Sequence, residues 1–440
     1  MLDLARALLR RTTDIGGAST IDVERYPHFR RNYLLGIANG ALFDSGMVFF
    51  GRSTVIPAFM AALHAPAVVI SIASLLMSIG WHFPQLFAAP FVAHRRHTLS
   101  IYAWACVVRL TGVALAILGA VWAENGDRSG AIWMFLLGFG LFAFAGGFAG
   151  LIFLEIVAKT CPKERRGTYF GWRAILSGIA GLFIGVEVID PVVRGQGGEH
   201  PFTTLFTIGA VLIALGFAVF IAQREPDVEV RPAERTVRQQ LAAAWQVLRT
   251  DRQFRRFVLL RSFLMLWLAG VPFYILMAQD LMKAGDEHLG IFTSWEFAGL
   301  VVSNLVWGAI SNRAGNRLLL LLACSLGLVV SIVAMLVAAE VVAIPLGLFG
   351  VIFLASAAVD SGTGTGGINY GFEIIPEGER PTYVGLMNTT LAIALALAAG
   401  AGAVRDLAGY TGVYALTGMI ALVSLAMVIR MPEPRRQERG

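Results

Sequence analysis

Five ionisable residues stand inside long apolar runs: Asp44, His82, Arg109, Glu296 and Asp360. A carboxylate held out of water keeps its proton to higher pH, an imidazole titrates near neutrality, and a guanidinium is a fixed cation for an acid or an anionic solute. Where such runs cross a bilayer, each charge costs about 2.5 to 3.5 kcal/mol on insertion scales, so these positions are candidates for substrate or proton coupling. Asp360 leads them. It precedes SGTGTGGIN, Ser361 to Asn369, a Gly and hydroxyl run able to loosen a helix and turn carbonyls towards a cavity. On a helix Asp360, Thr363, Gly364 and Gly367 share one face. For the glycines, tight helix packing is the stronger reading; for the carboxylate, function is. No Lys follows the run, so it is not a phosphate-cradling loop.

At 1.5 Å per residue Asp44 lies about 16 Å into its apolar run and Arg109 about 15 Å into another, both near mid-depth. They are expected to meet, either fastening two helices or coupling a proton to a solute. Glu296 lies about 10 Å inside a third run. His82, in WHFPQ, reads as a proton shuttle or, more simply, as a histidine bonded to a nearby carbonyl. Asn39, Thr363 and Gln279 are candidate cavity-lining residues; Arg52, with Asn39 and Gln279, reads as a contact for an anionic or polar solute or, more cheaply, as snorkelling from a helix end. No His-Glu-x-x-His, metal-ligand cluster or nucleophile arrangement is present, so neither an enzyme nor a cofactor is expected.

The elements that must hold these residues follow from composition. Of 440 residues, 57% are hydrophobic and 15% charged, against roughly 25% charged in soluble domains. The apolar residues come in runs near the roughly 20 that span a hydrocarbon core, and such runs satisfy their backbone only as helices. Spans are expected near 33–62, 66–92, 99–123, 131–158, 168–190 and 203–223, then 257–282, 289–310, 318–340, 343–372, 382–404 and 411–430, the first and tenth long enough to tilt or kink. The domain reading is an N-terminal segment 1–32, a six-helix bundle 33–223, a linker 224–256, a second bundle 257–430 and a tail 431–440. The linker opens on REPDVEVRPAER, Arg224 to Arg235, and continues as an amphipathic helix around Val237 to Phe257; a solvated connector is the plainer view of it. Leu2 to Arg11 could lie on the membrane as a short amphipathic helix.

The net charge of +6 does not point to nucleic acid, because 27 of the 35 Lys and Arg fall in one alternating set of segments, and four in the opposite set. That asymmetry places both termini in the cytoplasm, and the excess of Arg over Lys suggests a bacterial inner membrane. Cys106, Cys161 and Cys324 are not placed for an external disulfide. The expected partners are a small-molecule solute, the bilayer and protons, with no oligomer required.

An internal repeat ties the halves together. PKERRGTYFG, Pro162 to Gly171, aligns with PEGERPTYVG, Pro376 to Gly385, sharing Pro, Arg, Thr, Tyr and Gly, and each joins a fourth to a fifth span. A second pair follows the second and eighth spans. GAISNRAGNR, Gly308 to Arg317, resembles the loop signature of the major facilitator superfamily, with Asn312 in place of its Asp. PFVAHRRHTL, Pro90 to Leu99, is a more degraded copy, with Pro90 for the Gly, His94 for the Asp, and Arg95 kept. The resemblance implies an all-α polytopic protein of twelve transmembrane helices, two six-helix bundles around a cavity lined by the first, fourth, seventh and tenth spans. It also implies gating loops, here carrying Arg95, Gly308, Asn312, Arg313, Arg166 and Arg380. The fifth span, GIAGLFIG, lacks the proline of antiporter signatures. Secondary active transport of a small solute by alternating access, coupled to protons, is the expected function; the alternative is a non-transporting scaffold or sensor on the same fold.

Overall fold

The computed structural model describes residues 26–87, 97–196, 200–226, 237–376 and 379–434. Helices make up the ordered structure throughout these residues. An apolar chain without water has no cheaper way to pair its N–H and C=O groups. Ten helices are long and apolar enough to cross a membrane, and Thr382–Ala398 is a shorter apolar helix. The twelfth is the first in sequence, broken into Phe29–Val48 and Val55–Ala62. Two bundles of six result. The face bearing most Lys and Arg is called the basic face below, the other the opposite face.

The first span kinks, as its length suggested, whereas the tenth, Leu346–Ile374, is one unbroken helix through the whole Gly and hydroxyl run. The seventh is also broken: Arg252–Leu266 passes through a 3-10 turn, Trp267–Gly270, before Phe273–Met282. Corresponding spans of the two halves thus break alike. Two boundaries differ from expectation. The amphipathic helix ends at Thr250, because Asp251 accepts the Phe254 N–H (2.8 Å) and starts the seventh span. The turn between the last two spans falls at Ala399–Gly400, and 401–429 runs as one element with a bend at Gly409 (φ 65°). Hydropathy cannot find that turn because it lies within an apolar run, while the polar Arg405–Asp406 pair lies inside a helix.

The first half is packed around Phe50, Phe59, Phe135, Phe139 and Phe206, all buried, with rings about 5.0 to 5.6 Å apart. The second uses Tyr274 stacked on Tyr414 and Phe292 on Phe353. Glycines set the closest approaches. Gly112 and Gly138 place the third and fourth spans so close that a Cβ on either would strike the other's carbonyl. Gly185 of the fifth span and Gly290 of the eighth do the same across the two halves. There Asp190 reaches over and accepts the Gly290 N–H (2.8 Å), and Ser294 donates to the Leu182 carbonyl (2.8 Å). Nearer the basic face the crossing contact is Asn388 Nδ2 to Gln85 Oε1 (2.5 Å).

Candidate functional site

The break in the first span falls on Gly51, Arg52, Ser53 and Thr54, between two helical pieces. Three consecutive side chains from this break engage the other half. Arg52 Nη2 pairs with Asp360 Oδ2 at 2.5 Å, Ser53 donates to Glu296, and Thr54 meets Thr293 at 3.0 Å. A continuous helix could not aim three successive residues one way, since neighbours diverge by about 100°. Thr293 and Glu296 are three apart and share a face of the eighth span; Asp360 comes from the middle of the tenth. Arg52 and Asp360 keep 26% and 35% of their side-chain surface uncovered by the protein. Two of the three acids singled out from the sequence, Asp360 and Glu296, therefore engage adjacent residues of one helix break. The snorkelling explanation of Arg52 is corrected: its span breaks before reaching the surface and delivers the cation to Asp360.

Other candidates lie elsewhere. His82 Nδ1 contacts the Ser78 carbonyl at 2.7 Å, the simpler of its two readings. Thr363 is buried, and its hydroxyl donates to the Asp360 carbonyl of its own helix (3.1 Å) instead of lining a cavity. The Thr363 carbonyl accepts Arg261 Nη1 (2.6 Å), and Gly367 makes room for that guanidinium, so the run serves packing and the helix does not loosen. Gln279 sits at the opposite face, bonded to Asp286 (2.7 Å).

Asp44 and Arg109 do not form an ion pair, and two of the Arg109 donors have no partner. Arg109 is instead enclosed by Phe43, Phe142 and Phe217, 4.4 to 4.9 Å from its guanidinium carbon. The expected pair fails because depth along two helices says nothing about the side of each helix that faces the other. Arg109 borders a cavity of about 70 Å³ with Asn39, Trp81, Tyr102 and Arg173. Arg173 Nη1 donates to Asn39 Oδ1 (2.8 Å) and the Gly36 carbonyl (2.6 Å), and Asn39 donates to the Gly216 carbonyl (2.9 Å).

On the basic face, Arg95 and the rest of 90–96 lie outside the described residues, as do Leu2 to Arg11 and most of Arg224 to Arg235. Asn312 and Arg313 are exposed, and a Cβ on Gly308 would meet nothing within 4 Å, so no close helix approach uses that glycine. Arg166 closes the end of the fourth span, donating to the Ala158 and Cys161 carbonyls. Arg380 packs over Phe372.

Acids that the sequence reading passed over do the tying. Glu225 accepts the N–H groups of Thr98 and Leu99 (2.7 and 2.9 Å), the Thr98 hydroxyl and the Lys159 ammonium (2.8 Å). Burial alone would raise its pKa; the Lys159 hydrogen bond, with those from Leu99 and Thr98, outweighs burial and holds it below the usual range. In the second half Asn316 is buried between Ser311 (2.7 Å) and Glu373 (2.8 Å), while Glu433 faces Gly315. A Glu-Pro pair after the last span of each half, at 225–226 and 433–434, was the available signal.

Residues 271–440 match the family model for the Major Facilitator Superfamily. The fold is that of the major facilitator superfamily. A POT family transporter, PepTSo, superposes with a TM-score of 0.70 at 12% identity, covering 93% of this chain and 98% of its own. The nucleoside transporter NupG gives 0.67 at 13% identity, covering 91% and 99%. A D-xylose-proton symporter gives 0.65 at 14% identity, covering 92% and 99%. No curated protein sequence matches significantly. In this major facilitator fold the broken first span faces the eighth and tenth across the seam between halves, and that seam holds the two acids.

Proposed function

We propose that this protein is a secondary transporter that moves a small solute by alternating access, coupled to protons through Asp360 and Glu296. One observation carries the reading: the Arg52–Asp360 pair joins the two halves at a helix break, with Glu296 beside it and both side chains of the pair only partly covered by protein. Protonating Asp360 removes the charge that holds Arg52, so the tie between halves weakens when a proton arrives and re-forms when it leaves. A proton can thereby bias which face is closed. The transporter neighbours support a carrier over an enzyme, the distribution of Lys and Arg supports both termini inside, and the excess of Arg over Lys supports a bacterial cytoplasmic membrane.

The test uses purified protein in liposomes with a trapped pH indicator. Peptides, sugars, nucleosides and organic acids are added in turn under an imposed pH gradient. Wild-type protein should show solute-dependent proton movement, and Asp360→Asn should lose it while still exchanging solute without a gradient. Gradient-driven flux unchanged in Asp360→Asn would remove that residue from the mechanism.

A further inference from the structure

The linker helix Val237–Thr250 has one face that the fold uses and one that it leaves uncovered. Gln240, Ala244 and Val247 are buried. Thr382, in the first turn of the eleventh span, donates to Gln240 Oε1 (3.5 Å), and the next residue, Tyr383, donates to Asp251 Oδ2 (3.1 Å). Residues 240 and 251 are about 16 Å apart along a helical path, so the linker helix is held along its length against the basic-face end of the second bundle. The seventh span starts directly after it, at Arg252. The helix therefore rests where the seventh and eleventh spans begin.

The uncovered face mixes two kinds of side chain. Leu241 and Trp245 are 41% and 57% exposed, and Arg238 and Arg249 are exposed beside them. Positions 238, 241, 245 and 249 recur every three or four residues, which aligns them as one stripe. The Arg249 guanidinium carbon stands 4.9 Å over the Trp245 ring. Two more exposed arginines, Arg252 and Arg256, continue the charge into the seventh span. From Val237 to Arg256 there are five arginines and a single acid, Asp251. That acid is occupied by the Phe254 N–H (2.8 Å) and by Tyr383, and the fifth arginine, Arg255, donates to the Leu248 carbonyl (2.9 Å). Four cations are thus left exposed alongside a tryptophan and a leucine.

Water suits the arginines but not the tryptophan and leucine, and a lipid tail suits the reverse. The boundary of an anionic leaflet satisfies both, with indole and leucine among the upper acyl chains and the cations on phosphate. A leaflet is also the partner already in place, since the span that begins at Arg252 enters it. We infer that this face of the linker helix binds anionic phospholipid, with Leu241 and Trp245 at the acyl boundary and Arg238, Arg249, Arg252 and Arg256 on the headgroup phosphates. The lipid is then held by the second bundle, through the seventh and eleventh spans. The inference needs the membrane fold but no translocation, so its test is independent of the proton-coupled reading.

Full-length protein in neutral detergent micelles is titrated with phosphatidylglycerol, with phosphatidylcholine as the zwitterionic lipid and glycerol 3-phosphate as the soluble headgroup. The readout is Trp245 emission, isolated by subtracting Trp245→Phe, together with its quenching by aqueous acrylamide. Phosphatidylglycerol should shift the emission saturably and increase the shielding of Trp245, and the other two should do neither. Arg238→Gln combined with Arg249→Gln should weaken that response about tenfold or more. Both positions are exposed, so the double variant should melt near wild type. Arg430→Gln removes an exposed arginine elsewhere on the basic face and should leave the response alone. An equal response to phosphatidylcholine or to glycerol 3-phosphate, an undiminished response in the double variant, or an equal loss in Arg430→Gln would each overturn the assignment. Trp245 open to acrylamide at every lipid concentration would overturn it too, and would leave the helix a solvated connector.

Discussion

Glu225 gathers four donors onto one carboxylate: two backbone N–H groups, a hydroxyl and an ammonium, joining the third, fourth and sixth spans of the first half. Hydrogen bonds to a charged group contribute about 1.5 to 3 kcal/mol net, so Glu225→Gln should cost about 2 kcal/mol at neutral pH. Its pKa is lower folded than unfolded, which fixes the sign: the contribution is complete above the ordinary glutamate range and fades as pH falls through the folded value. The stability gap between wild type and Glu225→Gln, followed by melting in detergent, should therefore narrow on acidification. A gap constant down to strongly acid pH would show that the charge on Glu225 is not what ties those spans. Residues of this kind are hard to read in sequence because Glu225 sits in a polar loop where acids are ordinary. Asp360 and Glu296 were legible for the converse reason, since an acid in an apolar run has no ordinary explanation. Arg52 was misjudged because its meaning depends on a helix break that hydropathy does not register.

At the scale of elements, the span count was legible from runs of apolar residues, and the break in the seventh span and the turn at Ala399–Gly400 were not. Both lie in uniformly apolar sequence, so only tertiary packing marks them. The contact between the fifth and eighth spans is one of those that join the halves at the opposite face, with Gly402 against Ala67 and Val68 another, and it depends on Gly185 and Gly290 lying backbone to backbone. Adding one methyl at Gly290→Ala meets the Gly185 carbonyl and the Asp190 carboxylate. Such overpacking typically costs about 1 to 3 kcal/mol. Closure on that face should weaken accordingly. In a cysteine-free background, Thr293→Cys is buried at the seam and should react about tenfold faster with an impermeant maleimide once Gly290→Ala is added. Gly308→Ala, with open space around it, is the matched control and should leave the rate alone. Equal rates in all three would mean that this seam does not govern access.

For the whole molecule, twelve helices in two bundles require both ends of the chain on one side. Tags placed before residue 26 and after residue 434 should respond together to protease, resistant in intact cells and cut in inverted vesicles. Opposite responses would mean an odd number of crossings and would remove the two-bundle arrangement. The two-bundle plan itself was legible, because the Pro162–Gly171 and Pro376–Gly385 segments repeat at matching places. The cavity at Arg109 was not, since it takes residues from all six helices of its half, and no linear spacing records how those helices turn towards one another.

The glycine seam between the fifth and eighth spans also bears on how the halves part. At Gly185 and Gly290 the two main chains touch directly, while Phe297 and Val301 of the eighth span fill the space left by Gly181 and Gly178 of the fifth. The seam's polar ties are Asp190 on Gly290 and Ser294 on Leu182, so parting it breaks two hydrogen bonds and draws Phe297 and Val301 out of glycine notches. A carrier working as proposed would part its halves along such notches without repacking the interior of either bundle.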